Sequence, residues 1–171
     1  MDLKQYIGIT EGFPKPGISW KDISPLLACP EAFQEAINQM AAWAEDKKPT
    51  LIIGPESRGF VFGSPLAYKM GIPFAMARKK GKLPGKTYAV KYALEYGSDE
   101  LEISSLAVKK GDRVLLVDDL MATGGTFKAM KSLCEEAGIV IVGAITAIEL
   151  TDLSKDVDLG VPFASLIQFN R

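Results

Sequence analysis

Two acidic residues stand side by side in the stretch VLLVDDLMATGGT, directly after four aliphatic residues. When ionised, Asp118 and Asp119 can only accept hydrogen bonds, which suits two neighbouring donors such as the vicinal hydroxyls of a ribose. Small residues follow, and their amides can converge on a phosphate at the start of a helix; they are Ala122, Thr123, Gly124, Gly125 and Thr126. The two halves of the stretch together predict a site for a ribose 5-phosphate.

Other kinds of site fit this sequence less well. A nucleoside-triphosphate P-loop would place a lysine after its glycines, and here Thr126 is followed by Phe127. The chain has no histidine, which removes Ser/His/Asp triads, Cys/His dyads and most zinc or iron sites. A helix cap and a turn are the structural alternative for the acids and glycines. If the loop does hold a phosphate, a valine at Gly124 is expected to fill that space and leave the fold intact.

The elements that must position these residues alternate between strand and helix. Short apolar runs predict strands buried on both faces, at residues 50–53, 73–77, 113–117, 140–150 and 163–169. Helical periodicity predicts crossover helices between them, at residues 30–45, 59–70 and 126–137. We therefore expect an α/β fold with a Rossmann-like, mostly parallel sheet. The two acids follow the strand at 113–117, at the carboxyl edge where such sheets bind ligands.

One segment breaks this alternation. In YAVKYALEYGSDELEISSL, apolar and polar residues alternate on both sides of the turn residues GSD. That pattern predicts an antiparallel hairpin. We expect it to project from the sheet as part of a flexible segment at residues 81–107.

Composition bounds the possible functions. The 171 residues, close to half of them apolar, predict a single domain. A net charge of -1 without a basic block argues against a nucleic-acid partner. The first residues lack a signal-peptide pattern and no apolar run approaches the roughly 18 residues of a membrane span, so we expect a cytoplasmic protein without a membrane partner. Cys29 and Cys134 are expected to be buried free thiols.

The stretch with the paired acids resembles the signature with which type I phosphoribosyltransferases bind phosphoribosyl pyrophosphate (PRPP). Five further stretches are similar to the adenine-using members of that family, in the same order and over most of the chain: FPKPGISWKDISPLL, GPESRGFVFGSPLA, RKKGKLPGKT, LEYGSDELEI and VPFASLIQF. The resemblance implies the type I phosphoribosyltransferase fold, with residues 1–29 as a small hood over a purine site. It also implies transfer of the phosphoribosyl group to N9 of adenine, giving AMP and pyrophosphate with magnesium, in purine salvage.

Release of pyrophosphate needs positive charge, because negative charge builds on the leaving oxygens as the anomeric bond breaks. The ESRG stretch follows the strand at 50–53 and matches the family's pyrophosphate loop. The match implies pyrophosphate binding by Glu56, Ser57 and Arg58. Arg58 is also expected to take part in catalysis, facing the sugar phosphate from the strand next to 113–117.

A second group of cations follows the next strand, in a loop flanked by glycine and proline. It consists of Arg78, Lys79, Lys80 and Lys82. Solvated surface charge is the alternative on local pattern alone. The family match favours pyrophosphate binding by Arg78, Lys79 and Lys82, and it implies a homodimer in which this loop reaches the neighbouring subunit's site.

For the purine, the stretch GISWKD resembles the family's hood. Trp20 would offer an aromatic face, and the backbone of Ser19 and Lys21 could read the amino edge of adenine. Tryptophan stands where the family pattern has phenylalanine, and ordinary packing is the alternative for it. No run of acids forms a calcium-type loop, so no residue is predicted as a metal ligand; Mg²⁺ is expected to arrive with PRPP, held mainly by its pyrophosphate and ribose oxygens.

The hairpin carries the remaining candidate, Glu95. By alternation it shares the polar face with Lys91, which is also the pattern of a solvated surface acid. In the family, LEYG holds the position proposed for the acid/base group, so the resemblance implies that Glu95 handles the proton of the base. Two alternatives for the whole chain stay open: another purine, such as hypoxanthine, guanine or xanthine, as substrate, or a non-catalytic regulator that senses the ligand.

Overall fold

The structure, a computed structural model, describes residues 1–93 and 97–171. The strands are β1 (Gly8–Glu11), β2 (Ser19–Asp22), β3 (Leu51–Pro55), β4 (Phe74–Lys79), β5 (Thr87–Ala93), β6 (Ser98–Ser104), β7 (Arg113–Met121), β8 (Val140–Leu150) and β9 (Phe163–Phe169). The α-helices are α1 (Ser24–Ala28), α2 (Pro30–Ala44), α3 (Arg58–Met70), α4 (Gly125–Glu136) and α5 (Thr151–Ser154). Short 3₁₀ helices cover Leu3–Tyr6 and Glu45–Lys47. The predicted strands and helices are all present, with ends that differ by a few residues.

The main sheet has seven strands in the order β5-β6-β4-β3-β7-β8-β9. Strands β4, β3, β7, β8 and β9 run parallel to one another, which confirms the predicted mostly parallel α/β fold. Strand β3 lies directly beside β7, with Ile52 opposite Leu115. The carboxyl ends of these two strands therefore meet at one edge of the sheet, which brings the residues after each of them together.

The predicted antiparallel hairpin is formed by β5 and β6. It joins the main sheet at its root, where β6 pairs with β4 through Arg78 opposite Glu102 and Lys79 opposite Leu101. Tyr88, Val90 and Tyr92 pack against the core on the α4 side. The hairpin is thus the outer end of the sheet, and its apolar face is buried against α4.

Two hydrophobic cores cover the two faces of the sheet. Leu115 and Val117 of β7 pack with α2 and α3, including Phe62 and Leu66, while Val114 and Leu116 pack with α4, including Phe127 and Met130. An uninterrupted apolar run is what a strand needs when both faces are covered. Strand β4 departs from this expectation, because Met76 is 43 % exposed and only the face with Ala75 and Ala77 is buried.

The N-terminal segment adds a two-stranded antiparallel sheet, in which Thr10 of β1 lies opposite Trp20 of β2. Leu3, Ile7, Ile23 and Leu26 anchor this segment to the core around α2 and α3. The small sheet is therefore held next to the main one.

The two cysteines are both free thiols. Cys134 is buried, and burial raises the pKa of its thiol to about 12. Cys29 is only half-buried, contrary to expectation, because it lies at the exposed turn before α2, 3.5 Å from a carboxylate oxygen of Glu31. Across residues 1–93 and 97–171, none of the helices has the length and apolarity to cross a membrane.

Candidate active site

The paired acids lie inside strand β7, which continues four residues beyond the predicted end at 117 to Met121. Both are buried: Asp118 is 8 % and Asp119 is 4 % exposed. The Asp119 amide donates a hydrogen bond of 2.8 Å to Oδ1 of Asp118. Burial, together with the neighbouring Asp119 charge, raises the pKa of Asp118 well above the ordinary range. Ionisation of Asp118 is therefore less favourable than that of a solvent-exposed aspartate.

Arg58, the first residue of α3, bridges two parts of the site. Its Nε lies 3.1 Å from Oδ2 of Asp119. Its guanidinium carbon lies 4.8 Å from the ring centroid of Trp20, in cation–π contact. Helix α3 can approach the acids this closely because residue 59 is glycine: a β-carbon there would lie 2.5 Å from Pro55 and 3.1 Å from Asp118 Oδ1. Arg58 thus connects the acid pair to the N-terminal sheet.

The small-residue loop, Ala122–Thr126, leads from β7 into α4, which begins at Gly125. Gly124 has a φ of 82°, a left-handed conformation that L side chains rarely adopt. A β-carbon at Gly124 would lie 2.7 Å from Cγ1 of Val157, whereas one at Gly125 would meet nothing within 4 Å. The expectation that a valine at Gly124 leaves the fold intact is therefore wrong, because the side chain would point into the protein. Gly125 is the residue that faces open space.

A cleft of about 370 Å³ unites these groups. It is lined by Arg58, by Tyr92 and Ala93 of the hairpin, and by residues 118–127. This volume suits a small ligand of the size of a sugar phosphate. The free amides at the start of α4 and the positive end of its dipole open onto the cleft, which favours an anion there.

Tyr92 was not among the residues predicted for the site. Its hydroxyl lies 3.5 Å from Oδ2 of Asp99, and burial followed by the Asp99 charge raises its pKa. The sequence placed Tyr92 on the apolar face of the hairpin, which is correct. The position of this face over the start of α4 could not be predicted from local pattern, because the contact joins segments far apart in the chain.

The second group of cations is arranged differently from the predicted loop. Arg78 and Lys79 belong to strand β4, and only Lys80 and Lys82 lie in the turn that follows. Lys79 Nζ lies 3.1 Å from Asp99 Oδ2, and this carboxylate raises the pKa of the lysine. Lys80 Nζ lies 3.3 Å from Glu100 Oε2.

Glu56 collects the other charges of this group. Its carboxylate accepts a hydrogen bond of 2.7 Å from the Lys79 amide and one from Lys82 Nζ, and it lies 3.4 Å from Arg78 Nε. Partial burial opposes ionisation, but Lys82, the Lys79 amide and Arg78 together hold the pKa of Glu56 below its usual range. Of the predicted pyrophosphate residues, Arg78, Lys79 and Lys82 therefore contact Glu56, whereas Ser57 precedes α3 and Arg58 pairs with Asp119. Apart from Arg58 they are not among the residues that line the cleft.

The residues predicted for the purine lie on β2. Lys21 is buried, and its Nζ donates a hydrogen bond of 2.6 Å to Ser19 Oγ, which in turn donates one of 2.7 Å to Glu11 Oε1. The Trp20 ring meets Phe13 edge to face, with centroids 5.5 Å apart. The side chains of Ser19 and Lys21 are thus already hydrogen-bonded within the protein. Trp20 is not among the residues that line the cleft, but it contacts Arg58, which is.

Comparison with known proteins identifies the chain's relatives. The family model for the phosphoribosyl transferase domain matches residues 26–162. The chain belongs to the phosphoribosyltransferase family. It is 49 % identical to the adenine phosphoribosyltransferase of Clostridium beijerinckii over 171 residues, which cover 99 % of each chain.

Solved phosphoribosyltransferase structures agree with this assignment. The adenine phosphoribosyltransferase of Thermoanaerobacter pseudethanolicus matches with a TM-score of 0.92 and 47 % identity over 98 % of each chain. That of Saccharomyces cerevisiae, solved with an imino-altritol bisphosphate and adenine, matches with a TM-score of 0.89 and 35 % identity over 96 % of each chain. The fold predicted from sequence is thus the phosphoribosyltransferase fold.

Glu95, the predicted acid/base residue, lies outside the described residues. Within residues 1–93 and 97–171, no three His, Cys, Asp or Glu side chains gather as a protein-built metal site would require. Asp119 is paired with Arg58, and the two neighbouring acids are fewer ligands than a metal site built by the protein alone requires.

Proposed function

We propose that this phosphoribosyltransferase transfers the phosphoribosyl group of PRPP to N9 of adenine, giving AMP and pyrophosphate in purine salvage. The observation that carries the proposal is one cleft that contains the buried acid pair, the small-residue loop at the start of α4 and Arg58. The adenine phosphoribosyltransferases among its relatives support the choice of reaction. The adenine in the yeast structure supports the choice of base.

In this proposal the 5′-phosphate sits on the loop at residues 122–126. Backbone amides and the exposed hydroxyls of Thr123 and Thr126 donate to its oxygens, and the dipole of α4 adds favourable potential. Gly125 leaves the room that the phosphate requires, since no atom lies within 4 Å of its β-carbon position.

The ribose hydroxyls are proposed to bind Asp118 and Asp119. Asp119, which already faces the Arg58 guanidinium, accepts from one hydroxyl as a carboxylate. Asp118 has a raised pKa, and a protonated carboxyl can donate to a hydroxyl oxygen as well as accept from it. Both carboxyl groups therefore offer hydrogen-bonding atoms to the sugar hydroxyls.

The pyrophosphate is proposed to bind Ser57, Arg58, Arg78, Lys79 and Lys82, with Glu56 holding the cations in place. Arg78 and Lys82 are paired with Glu56, Lys79 with Asp99 and Arg58 with Asp119, so the ligand must compete with carboxylates that are already present. Asp118 and Asp119 would favour a Mg²⁺ ion held mainly by PRPP oxygens, and such an ion would supply positive charge for the departing pyrophosphate. Some of the cations are proposed to act on the partner's site in a cytoplasmic homodimer.

Adenine is proposed to lie against Trp20, with the backbone of Ser19 and Lys21 at its amino edge and residues 1–29 covering it. Because Arg58 contacts both Trp20 and Asp119, it would border the base and the sugar while leaving N9 and the anomeric carbon in direct contact. Glu95 is proposed to handle the proton of the base. Glu95→Gln should then lower kcat about a hundredfold with little change in substrate affinity, whereas a change within about twofold in both constants would remove Glu95 from the reaction.

Pyrophosphate release from PRPP, measured with adenine, hypoxanthine, guanine, xanthine and uracil in turn, tests the proposal. Release with adenine at a kcat/KM well above that with the other bases is the expected result. Release with another purine alone would replace the substrate. No release with any base, together with binding of PRPP, would favour the ligand-sensing regulator.

A further inference from the structure

Glu149 lies at the carboxyl end of β8, immediately behind the phosphate-binding loop. In register it stands opposite Met121, the last residue of β7 before the loop begins, and opposite Gln168 of β9. It is not among the residues that line the cleft. Any influence of Glu149 on a ligand must therefore pass through other residues.

The carboxylate of Glu149 is fully engaged by neutral donors. Oε1 accepts a hydrogen bond of 2.6 Å from Ser154 Oγ, and Oε2 accepts bonds of 2.7 Å from Ser165 Oγ and 3.3 Å from Gln168 Nε2. Among residues 1–93 and 97–171, no lysine or arginine pairs with it. Hydrogen bonds to a charged acceptor are stronger than those between neutral groups, so Glu149 fixes Ser154 firmly.

Ser154 passes this constraint to the phosphate loop. It is buried and ends α5, and its carbonyl accepts a hydrogen bond of 2.8 Å from the Val157 amide. Val157 then packs against Gly124, since the β-carbon position of Gly124 lies 2.7 Å from Cγ1 and 3.2 Å from Cγ2 of Val157. Gly124 thus packs against Val157, and the turn that carries Val157 is hydrogen-bonded to Glu149 through Ser154.

The same segment is held to α4 from its other end. Lys131 Nζ, on α4, donates a hydrogen bond of 3.0 Å to the carbonyl of Leu159. The turn that carries Val157 is therefore fixed to the sheet through Glu149 and to the helix through Lys131.

A small cavity beside Val157 leaves space into which this side chain could move if the hydrogen bond between Glu149 and Ser154 were lost. About 120 Å³ of space lies behind the turn, lined in part by Met121, Glu149, Ser154 and Val157. If Ser154 were released, Val157 would have room to move into this space and away from Gly124. The loop would then lose the wall that keeps Gly124 and the following amides in place.

We propose that Glu149 is a positioning residue for phosphate binding: through Ser154 it holds Val157 against Gly124 and so fixes the loop at residues 122–126. The inference rests on the proposed function, in that the anion bound by the loop is the 5′-phosphate of a ribose. Its specific consequence is that a change at this attachment weakens binding of the sugar phosphate and leaves adenine binding and kcat unaffected.

Two matched variants separate positioning from general stability. Ser154→Ala and Ser165→Ala each remove one hydroxyl donor to the same carboxylate, but only Ser154 leads to the loop. Calorimetry with ribose 5-phosphate should show an affinity three- to tenfold weaker in Ser154→Ala, roughly the effect of one lost hydrogen bond, and within about twofold of the parent in Ser165→Ala. The KM for PRPP should rise in the same proportion in Ser154→Ala, while kcat and the KM for adenine stay within about twofold.

If Ser154→Ala does not fold, Val157→Ala tests the contact with Gly124 directly, with Val161→Ala as a control that lines the same cavity. Ribose 5-phosphate should bind more weakly to Val157→Ala than to Val161→Ala. Glu149→Gln, whose amide oxygen can still accept from Ser154, should keep most of the affinity. The positioning role would be overturned if Ser154→Ala and Ser165→Ala bound ribose 5-phosphate with the same affinity, whether that affinity equals the parent's or is weaker. A parent protein that binds ribose 5-phosphate but releases no pyrophosphate with any base would overturn the proposed function alone. One that does not bind ribose 5-phosphate would overturn both.

Discussion

The two regions that are proposed to bind anions are built in opposite ways. The loop at residues 122–126 offers backbone amides and a helix N-terminus, framed by two buried carboxylates. The region around Glu56 offers long side chains that the chain itself already pairs with carboxylates, and these side chains are substantially exposed, at 47 % for Lys82 and 54 % for Lys79. A backbone site is fixed before the ligand arrives, whereas a side-chain site must exchange one set of partners for another.

This difference determines how strongly substitutions in each region are expected to affect binding. Backbone amides survive every side-chain substitution except one to proline, so most substitutions can disturb the loop through the space around its glycines or through its supports. Ion pairs of exposed side chains are individually worth about 0–1 kcal/mol. Because the lysine side chains of these pairs are exposed although their carboxylate partners are largely buried, we expect the lysines to change partners at modest cost. Substitutions should therefore have large, localised effects at the loop and small, graded effects around Glu56.

The largest effect is expected from a pair of neighbouring glycine variants. Gly124→Val forces a left-handed backbone and a contact with Val157, so it should destabilise the fold by about 2–5 kcal/mol. Gly125→Val points into the cleft, so its melting temperature should stay near that of the parent while AMP no longer protects against thermal unfolding. Full protection by AMP in Gly125→Val would mean that the loop holds no phosphate.

The acid pair should give the next largest effect, because charged acceptors are worth about 1.5–3 kcal/mol each. Asp119→Asn should weaken PRPP binding within that range in calorimetry. Asp118→Asn should cost less, because burial and the Asp119 charge already raise the pKa of Asp118. Affinities unchanged in both variants would remove the ribose from these residues.

Asp118→Asn should also change the pH dependence of stability. The pKa of Asp118 is higher in the folded state than in the unfolded one, so the folded protein binds the proton more tightly. The resulting cost is absent below the unfolded pKa of about 4 and grows as the pH rises towards the folded pKa. Without a ligand, Asp118→Asn should therefore gain stability relative to the parent between pH 4 and pH 7, by thermal denaturation. A constant difference over that range would show that Asp118 is not held protonated.

The contrast between the regions also explains what the sequence could predict. The acid pair, the loop and the start of α4 lie within one stretch, Val114 to Thr126, so their geometry follows from a strand end and a helix start. The carboxylates that pair with the cations follow β3 or belong to β6, and no local pattern states that Glu56 meets Lys82 or that Asp99 meets Lys79. The contact of Val157 with Gly124 likewise depends on packing between distant segments. The fold followed from hydrophobic patterning, while these contacts required the structure.

A smaller effect is expected around Glu56, where Lys82 and Lys80 form a matched pair. Both lie in the turn after β4 and both are ion-paired, Lys82 with Glu56 and Lys80 with Glu100. Lys82→Ala should weaken inhibition by pyrophosphate about three- to tenfold, since it removes one cation that must first leave Glu56. Lys80→Ala should change it by less than about twofold. Equal effects of the two variants would mean that the turn acts through its total charge and not through a specific lysine.

The smallest effect is expected at Trp20, where phenylalanine can replace one aromatic side chain with another. Trp20 contacts the Arg58 guanidinium through its ring face and Phe13 through its edge, and Trp20→Phe keeps an aromatic face at both contacts. Cation–π and aromatic pairs at partly exposed sites are worth about 0.5–1.5 kcal/mol, and phenylalanine retains part of that. The KM for adenine should therefore rise by less than about threefold in Trp20→Phe and by more in Trp20→Ala, while the KM for PRPP stays within about twofold in Trp20→Phe. A Trp20→Ala variant with an unchanged KM for adenine would show that Trp20 only packs the N-terminal sheet and that the purine lies elsewhere.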